Sequence, residues 1–184
     1  MLSNTLVDII QSVSLYNCTP VILSSGLTSS YYFDIKKTLL SPNGIPLISQ
    51  SILTIMGQRE IRLVGGLESG AIPIITGIVL LSSLIGGPTV SGLFVRKQAK
   101  QYGIDKIIEG ASFNINDEIL VVEDVTTTGS SSLQVVNILR EAGALVRTIV
   151  TVVDRLEGAR DACIKEGVEL ISLTDVSHYD IHTP

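Results

Sequence analysis

The sequence predicts an α/β domain with a mainly parallel central sheet flanked by helices. Three observations point there. Short apolar runs alternate with longer segments of helical period along the chain. The 184 residues are ample for one core and show no repeat or second unit, so 1–184 reads as a single domain. That core is aliphatic, because aromatic residues are only 4% of the chain and Trp is absent.

In order, apolar spacing predicts a helix over 2–15, then short strands at 21–23 and 31–35 around the turn Ser24-Ser25-Gly26. A helix fills most of 44–58, and a strand over 62–64 ends at Gly65-Gly66. A helix over 73–85 leads to a strand over 90–95. Residues 96–116 are polar with little period and read largely as loop. A strand over 118–122, a helix over 131–142, a strand over 146–153, a helix over 158–166 and a strand over 168–173 complete the alternation. Ligands of such sheets sit beyond the carboxyl ends of the strands. That singles out 65–71, 123–131 and Asp154-Arg155.

Charge and composition narrow the chemistry. A formal net charge of −5 argues against nucleic acid or an anionic membrane as a partner, so an anionic ligand must be met by local groups. Cys18 and Cys163 have no metal-ligand spacing and read as reduced and buried. The N-terminal stretch has no basic region and carries Asp8, unlike a signal peptide, so a cytoplasmic location is expected. Residues 69–95 carry no charge, but the apolar block over 71–86 is shorter than the roughly 20 residues a bilayer requires. Gly86-Gly87-Pro88 then breaks it, and a helix buried on nearly all sides accounts for it better.

One stretch carries specific chemistry. In VVEDVTTTGSSS, starting at Val121, an apolar run meets two acids, and six of the seven residues after Val125 carry a hydroxyl. A strand-to-helix turn of this kind aims backbone N–H groups, hydroxyls and a helix N-terminus at an anion, with Gly129 permitting close approach. The plainer reading is a polar helix cap. No Lys follows Gly129 as in a nucleotide-triphosphate loop, and no Gly-x-Gly-x-x-Gly occurs here. Glu123 and Asp124 disfavour a bare anion but suit a sugar phosphate, whose hydroxyls would donate to them and whose cationic transition state they would stabilise.

Val121 to Ser131 resembles the phosphoribosyl-pyrophosphate (PRPP) signature of type I phosphoribosyltransferases. That resemblance implies the type I fold with a small N-terminal hood over about 1–40. It also implies a PRPP site at Glu123, Asp124, Val125, Thr126, Thr127, Thr128, Gly129, Ser130 and Ser131. FVRKQAKQYG, from Phe94, resembles the mobile catalytic loop of the orotate phosphoribosyltransferase family, here about 96–110. It implies that Arg96, Lys97 and Lys100 close on pyrophosphate, although a basic cluster alone usually reads as a solvated face. LSSGLTSSYYFDIKKTLLSP, from Leu23, is similar to the family's base segment, and LVGGLESGAIP, from Leu63, to its pyrophosphate loop.

The resemblance further implies catalytic roles for Lys100, Asp124, Glu123 and Arg96, and orotate binding by Thr127 and Arg155. Arg155 suits a carboxylate as a bidentate fork, with a salt bridge to Asp154 or Glu157 as the alternative. The backbone of 25–28 and the ring of Tyr32 or Phe33 are weaker candidates for holding the base. Mg²⁺, held mainly by PRPP and water rather than by protein ligands, and a homodimer with shared sites are implied as well. The chain departs from the pattern at Ser24, Leu27 and Thr28, where basic residues are common, and at Tyr102, where His is common. These departures resemble an archaeal-type or divergent branch. His178 and His182 receive no role. A purine or uracil phosphoribosyltransferase and a PRPP-sensing regulator are the alternative readings.

Overall fold

The computed structural model describes residues 5–22, 28–98 and 107–181, with the side chains of 17–22 and 28–29 outside that description. The elements are α1 (Leu6–Val13), β1 (Leu15–Ile22), β2 (Thr28–Phe33), α2 (Ile35–Leu39), α3 (Ile45–Gln58), β3 (Leu63–Gly66) and α4 (Ala71–Leu84). They continue with β4 (Ser91–Val95), β5 (Ile108–Gly110), β6 (Ile119–Thr126), α5 (Ser130–Glu141), β7 (Thr148–Asp154), α6 (Ala159–Lys165) and β8 (Glu169–Asp175). A 3₁₀ turn follows at Val176–His178.

The main sheet has the order β5-β4-β3-β6-β7-β8, and β5 alone runs antiparallel to its neighbour. Period-2 alternation along β6 divides the core. Leu120 and Val122 join a cluster with α1 to α4, whereas Ile119 and Val121 join one with α5 and α6. Each fully buried aliphatic side chain contributes about 1.5–3 kcal/mol, and β6 supplies four, so the strand that leads to the acids is firmly seated.

Several boundaries differ from expectation for identifiable reasons. The first helix starts with a capping box between Thr5 and Asp8 and ends by residue 13. The Ser14 hydroxyl is buried against that of Thr38 at 2.7 Å, and Leu15 already pairs with Phe33. The two N-terminal strands are longer than read and form an antiparallel hairpin. Ile35 opens α2, a five-residue helix whose Ile35, Thr38 and Leu39 face inward. Within 96–116, β5 adds three residues to the sheet edge.

α4 departs from the reading of burial on nearly all sides. Ala71, Ile74, Ile75, Ile78 and Ser82 form its buried stripe, while Leu80 and Leu84 are 59% and 72% exposed. A helix packed on one sheet and one neighbour covers only part of its circumference. No helix among the described residues is long and apolar enough to cross a membrane. Cys163 is a free, buried thiol whose pKa burial raises, while the Cys18 side chain lies outside the described residues.

Candidate active site

From β3 the chain moves through α4 to β4 on one side, whereas β6 to β8 lie on the other. The loops after β3 and β6 therefore diverge and leave a crevice at the carboxyl edge. A cleft of about 440 Å³ occupies that place, lined by residues 67–70 and 123–132 together with Tyr32, Phe33, Lys36, Lys97 and Arg155.

β6 does not stop where its apolar run stops. It continues to Thr126, held by pairing with β7 as far as Asp154. Alternation therefore sends the adjacent acids to opposite faces. Glu123 follows Ile119 and Val121 toward α5, where it is 7% exposed and accepts a 3.0 Å hydrogen bond from the Ser132 hydroxyl. Burial, with the neighbouring Asp124 charge, pushes its pKa up to about 8, so Glu123 holds a proton at neutral pH. Asp124 faces the cleft, its Oδ1 accepting from the Val125 amide at 2.9 Å and its Oδ2 lying 3.6 Å from Lys36 Nζ. Two acids that read alike in sequence thus differ, Glu123 as a buried, protonated carboxyl at the inner edge of the cleft and Asp124 as the more open carboxylate.

The hydroxyl-rich loop meets α5 at Gly129, whose φ of +82° favours glycine. No side chain caps α5, so its first N–H groups are available to an anion. The buried Thr126 hydroxyl is also without a hydrogen-bond partner. Opposite stands the Glu68–Gly70 turn, whose Glu68–Ser69 peptide is cis. A Cβ on Gly70 would lie 2.7 Å from the Asp124 carboxylate, so glycine permits this approach.

Arg155 follows β7, with its amide bonded to the Thr126 carbonyl at 2.9 Å. Its side chain is only 3% exposed, pairs with Glu157 Oε1 at 2.9 Å, and lies 4.3 Å from the centroid of the Tyr31 ring. Of the two alternative partners, Glu157 is the one engaged. Asp154 pairs instead with Arg160.

The comparisons agree with this geometry. No family model matches the chain. Orotate phosphoribosyltransferase of Methanocaldococcus jannaschii is 39% identical over 171 residues, 93% of each chain. That of Rhodopseudomonas palustris strain BisB5 is 36% identical over 177 residues, 95% of this chain and 94% of that one. The orotate phosphoribosyltransferase of Mycobacterium tuberculosis, solved with Fe(III) dicitrate, has a TM-score of 0.79 at 31% identity, covering 96% and 97% of the two chains. Its complex with PRPP has a TM-score of 0.73 at 27% identity, over 96% and 90%.

The chain belongs to the orotate phosphoribosyltransferase family.

As a member of this family, the protein gathers most of the expected site residues in one cleft. Lys97, Glu123, Asp124, Arg155 and the whole run from Val125 to Ser131 line it. Arg96 does not line it. Its guanidinium lies 3.2 Å from Glu109 and 3.9 Å from Glu68, because β5 brings Glu109 beside the end of β4. Lys100 and Tyr102 lie outside the described residues, as do Ser24 and Leu27.

Three residues of this family member's cleft went unnoticed in the sequence. Lys36 sits on the short helix α2, which apolar period alone does not reveal. Glu68 accepts from the Lys97 amide at 3.0 Å. Ser132, the last hydroxyl of the run, belongs to Glu123 rather than to the cradle, and strand alternation carried past Val122 could have shown it.

Proposed function

We infer that the protein transfers the 5-phosphoribosyl group of PRPP to N1 of orotate, releasing orotidine 5′-monophosphate and pyrophosphate, as a step of pyrimidine (UMP) biosynthesis. The observation that carries this reading is one cleft that combines an uncapped, hydroxyl-rich helix start, a carboxylate at Asp124 and a buried arginine at Arg155.

The backbone and hydroxyls of residues 126–131 take the 5′-phosphate, an anion suited to a helix N-terminus. Asp124 accepts from the ribose hydroxyls and stabilises positive charge as C1′ becomes oxocarbenium-like. Arg155 and Thr127 take the orotate carboxylate, with Tyr31 and Glu157 fixing the guanidinium in place. Arg96, Lys97 and Lys100 close on the pyrophosphate and exclude water. The C1′–oxygen bond breaks with its electron pair leaving on pyrophosphate, while N1 of orotate forms the new bond and gives up its proton to the departing pyrophosphate or to solvent. No covalent enzyme intermediate is involved.

Mg²⁺ suits the donor set. Beside a neutral Glu123, the cleft is lined by two further carboxyl groups, Asp124 and Glu68, and Glu68 is already paired with Arg96 and the Lys97 amide. Such a site fits a hard ion held mostly by substrate oxygens and water, with Asp124 as its protein contact. When bound, that ion would neutralise charge on the leaving pyrophosphate.

On this reading residues 1–184 work as one domain in the cytoplasm, with about 1–40 as a hood and about 96–110 as the closing loop. A homodimer would cover apolar surface such as Leu80, Leu84 and Ile85, all more than half exposed. Loss of orotate absorbance that requires both PRPP and Mg²⁺ tests the reaction. Transfer to uracil or a purine base in its place, or PRPP binding without turnover, would overturn it. Arg155→Ala is expected to raise the KM for orotate at least tenfold, about the strength of one charged hydrogen-bonded contact, with the KM for PRPP little changed. An equal rise for both substrates would assign Arg155 a structural role.

A further inference from the structure

Two consecutive lysines on α2 go to different places. Lys37 donates to the Tyr16 hydroxyl and sits 4.8 Å from the centroid of that ring. Lys36, about 100° further back around the helix, lines the cleft with Nζ 3.6 Å from Asp124 Oδ2.

Asp124 does not depend on Lys36 for its position. Its other oxygen is held by the Val125 amide at 2.9 Å, and Gly70 lies directly against the carboxylate. The Lys36 side chain is 48% exposed, and an exposed ion pair of this length is weak. A flexible stem carrying a point charge can move to a stronger anion nearby. The Glu68–Gly70 turn and Lys36 share Asp124 as their neighbour, whereas no described contact joins Lys36 to the start of α5. Of the other cations near that side, Arg96 is shared between Glu109 and Glu68, while Lys97 lines the cleft beside Glu68.

We propose that Lys36 is a PRPP-binding residue that leaves Asp124 when substrate arrives and contacts the pyrophosphate group. The inference rests on the transfer reaction inferred above. One exchange then serves both ends of the breaking bond. It adds a cation to the leaving group, and it frees Asp124 Oδ2 to face the ribose.

Calorimetric titration in Mg²⁺ buffer with PRPP, pyrophosphate and ribose 5-phosphate tests this without turnover. Lys36→Gln should weaken PRPP and pyrophosphate binding by about ten- to a hundredfold, the range of one charged hydrogen bond. Ribose 5-phosphate should bind as before. Lys36→Arg, which keeps the charge, should recover most of the loss, and Lys37→Gln should leave all three titrations unchanged. Equal weakening of ribose 5-phosphate, or unchanged pyrophosphate binding in Lys36→Gln, would overturn the proposal. Failure of the unmodified protein to bind PRPP would remove the transfer reaction itself, a result separable from any effect of Lys36.

Discussion

The two sides of the cleft prepare for an anion in opposite ways. On the α5 side the donors are uncommitted, with no side-chain cap on the helix and no partner on the Thr126 hydroxyl. On the other side two cations are committed, Arg96 to Glu109 and Glu68, and Lys36 to Asp124. Donors fixed in advance require no rearrangement when a phosphate arrives. Committed cations must exchange one acceptor for another, so only the difference between partners favours binding. On the proposed function, the first side would therefore supply affinity for any phosphate monoester, and the second would respond to the more highly charged end of the substrate and couple binding to rearrangement.

The carboxylate between these sides is the sharpest place to break the comparison. A Cβ at Gly70 would stand 2.7 Å from Asp124, closer than such contacts allow, so Gly70→Ala must move the carboxylate. A displacement near 1 Å at a reacting centre commonly costs on the order of 10²-fold, and a loss of about that size in kcat/KM is expected. Gly57→Ala, with nothing within 4 Å of its added Cβ, serves as the control and should leave activity intact. Nearly unaltered kcat/KM in Gly70→Ala, with folding verified by thermal melting, would show that the position of Asp124 is not critical.

Much of this division could be read from the sequence, and the remainder has a physical explanation. The alternation of strands and helices, the strand-end loops and the hydroxyl cradle all follow from local period and turn chemistry. The two acids could not be told apart because an apolar run hides where a strand ends. β6 runs four residues past Val122, and only pairing with β7 reveals it. Lys36 and the pairing of Arg96 with Glu109 escaped for a related reason. Both depend on elements of five and three residues, too short for a period to register.

The buried acid on the α5 side predicts how stability depends on pH. Glu123 has a folded pKa raised to about 8 from an ordinary 4.5, first by burial and then by the Asp124 charge. Between those values the folded protein keeps a proton that the unfolded chain releases. Stability therefore falls as pH rises through that window, by up to about 1.4 kcal/mol per pH unit, and levels off above it. The Ser132 hydrogen bond lowers the folded pKa, so Ser132→Ala should extend the decline to higher pH. Urea unfolding from pH 5 to 9 measures both curves. Identical profiles for the two proteins would mean that the Ser132 hydroxyl does not set the Glu123 proton.

The smallest expected effect tests the committed side directly. If Arg96 is held back by Glu109, then Glu109→Gln should release it toward the substrate and lower the KM for PRPP. The gain is bounded by the strength of a partly exposed ion pair, about 0.2–1 kcal/mol, which corresponds to roughly a 1.4- to fivefold change. Glu68 lies 3.9 Å from the same guanidinium and would retain part of the restraint, which places the expected value toward the lower end. The KM for orotate should not move, because Arg155 and Thr127 are untouched. A raised KM for PRPP in Glu109→Gln would mean that Glu109 aims Arg96 at the substrate. The acids of that side would then be aiming groups instead of competitors, and the contrast with the α5 side would be one of geometry alone.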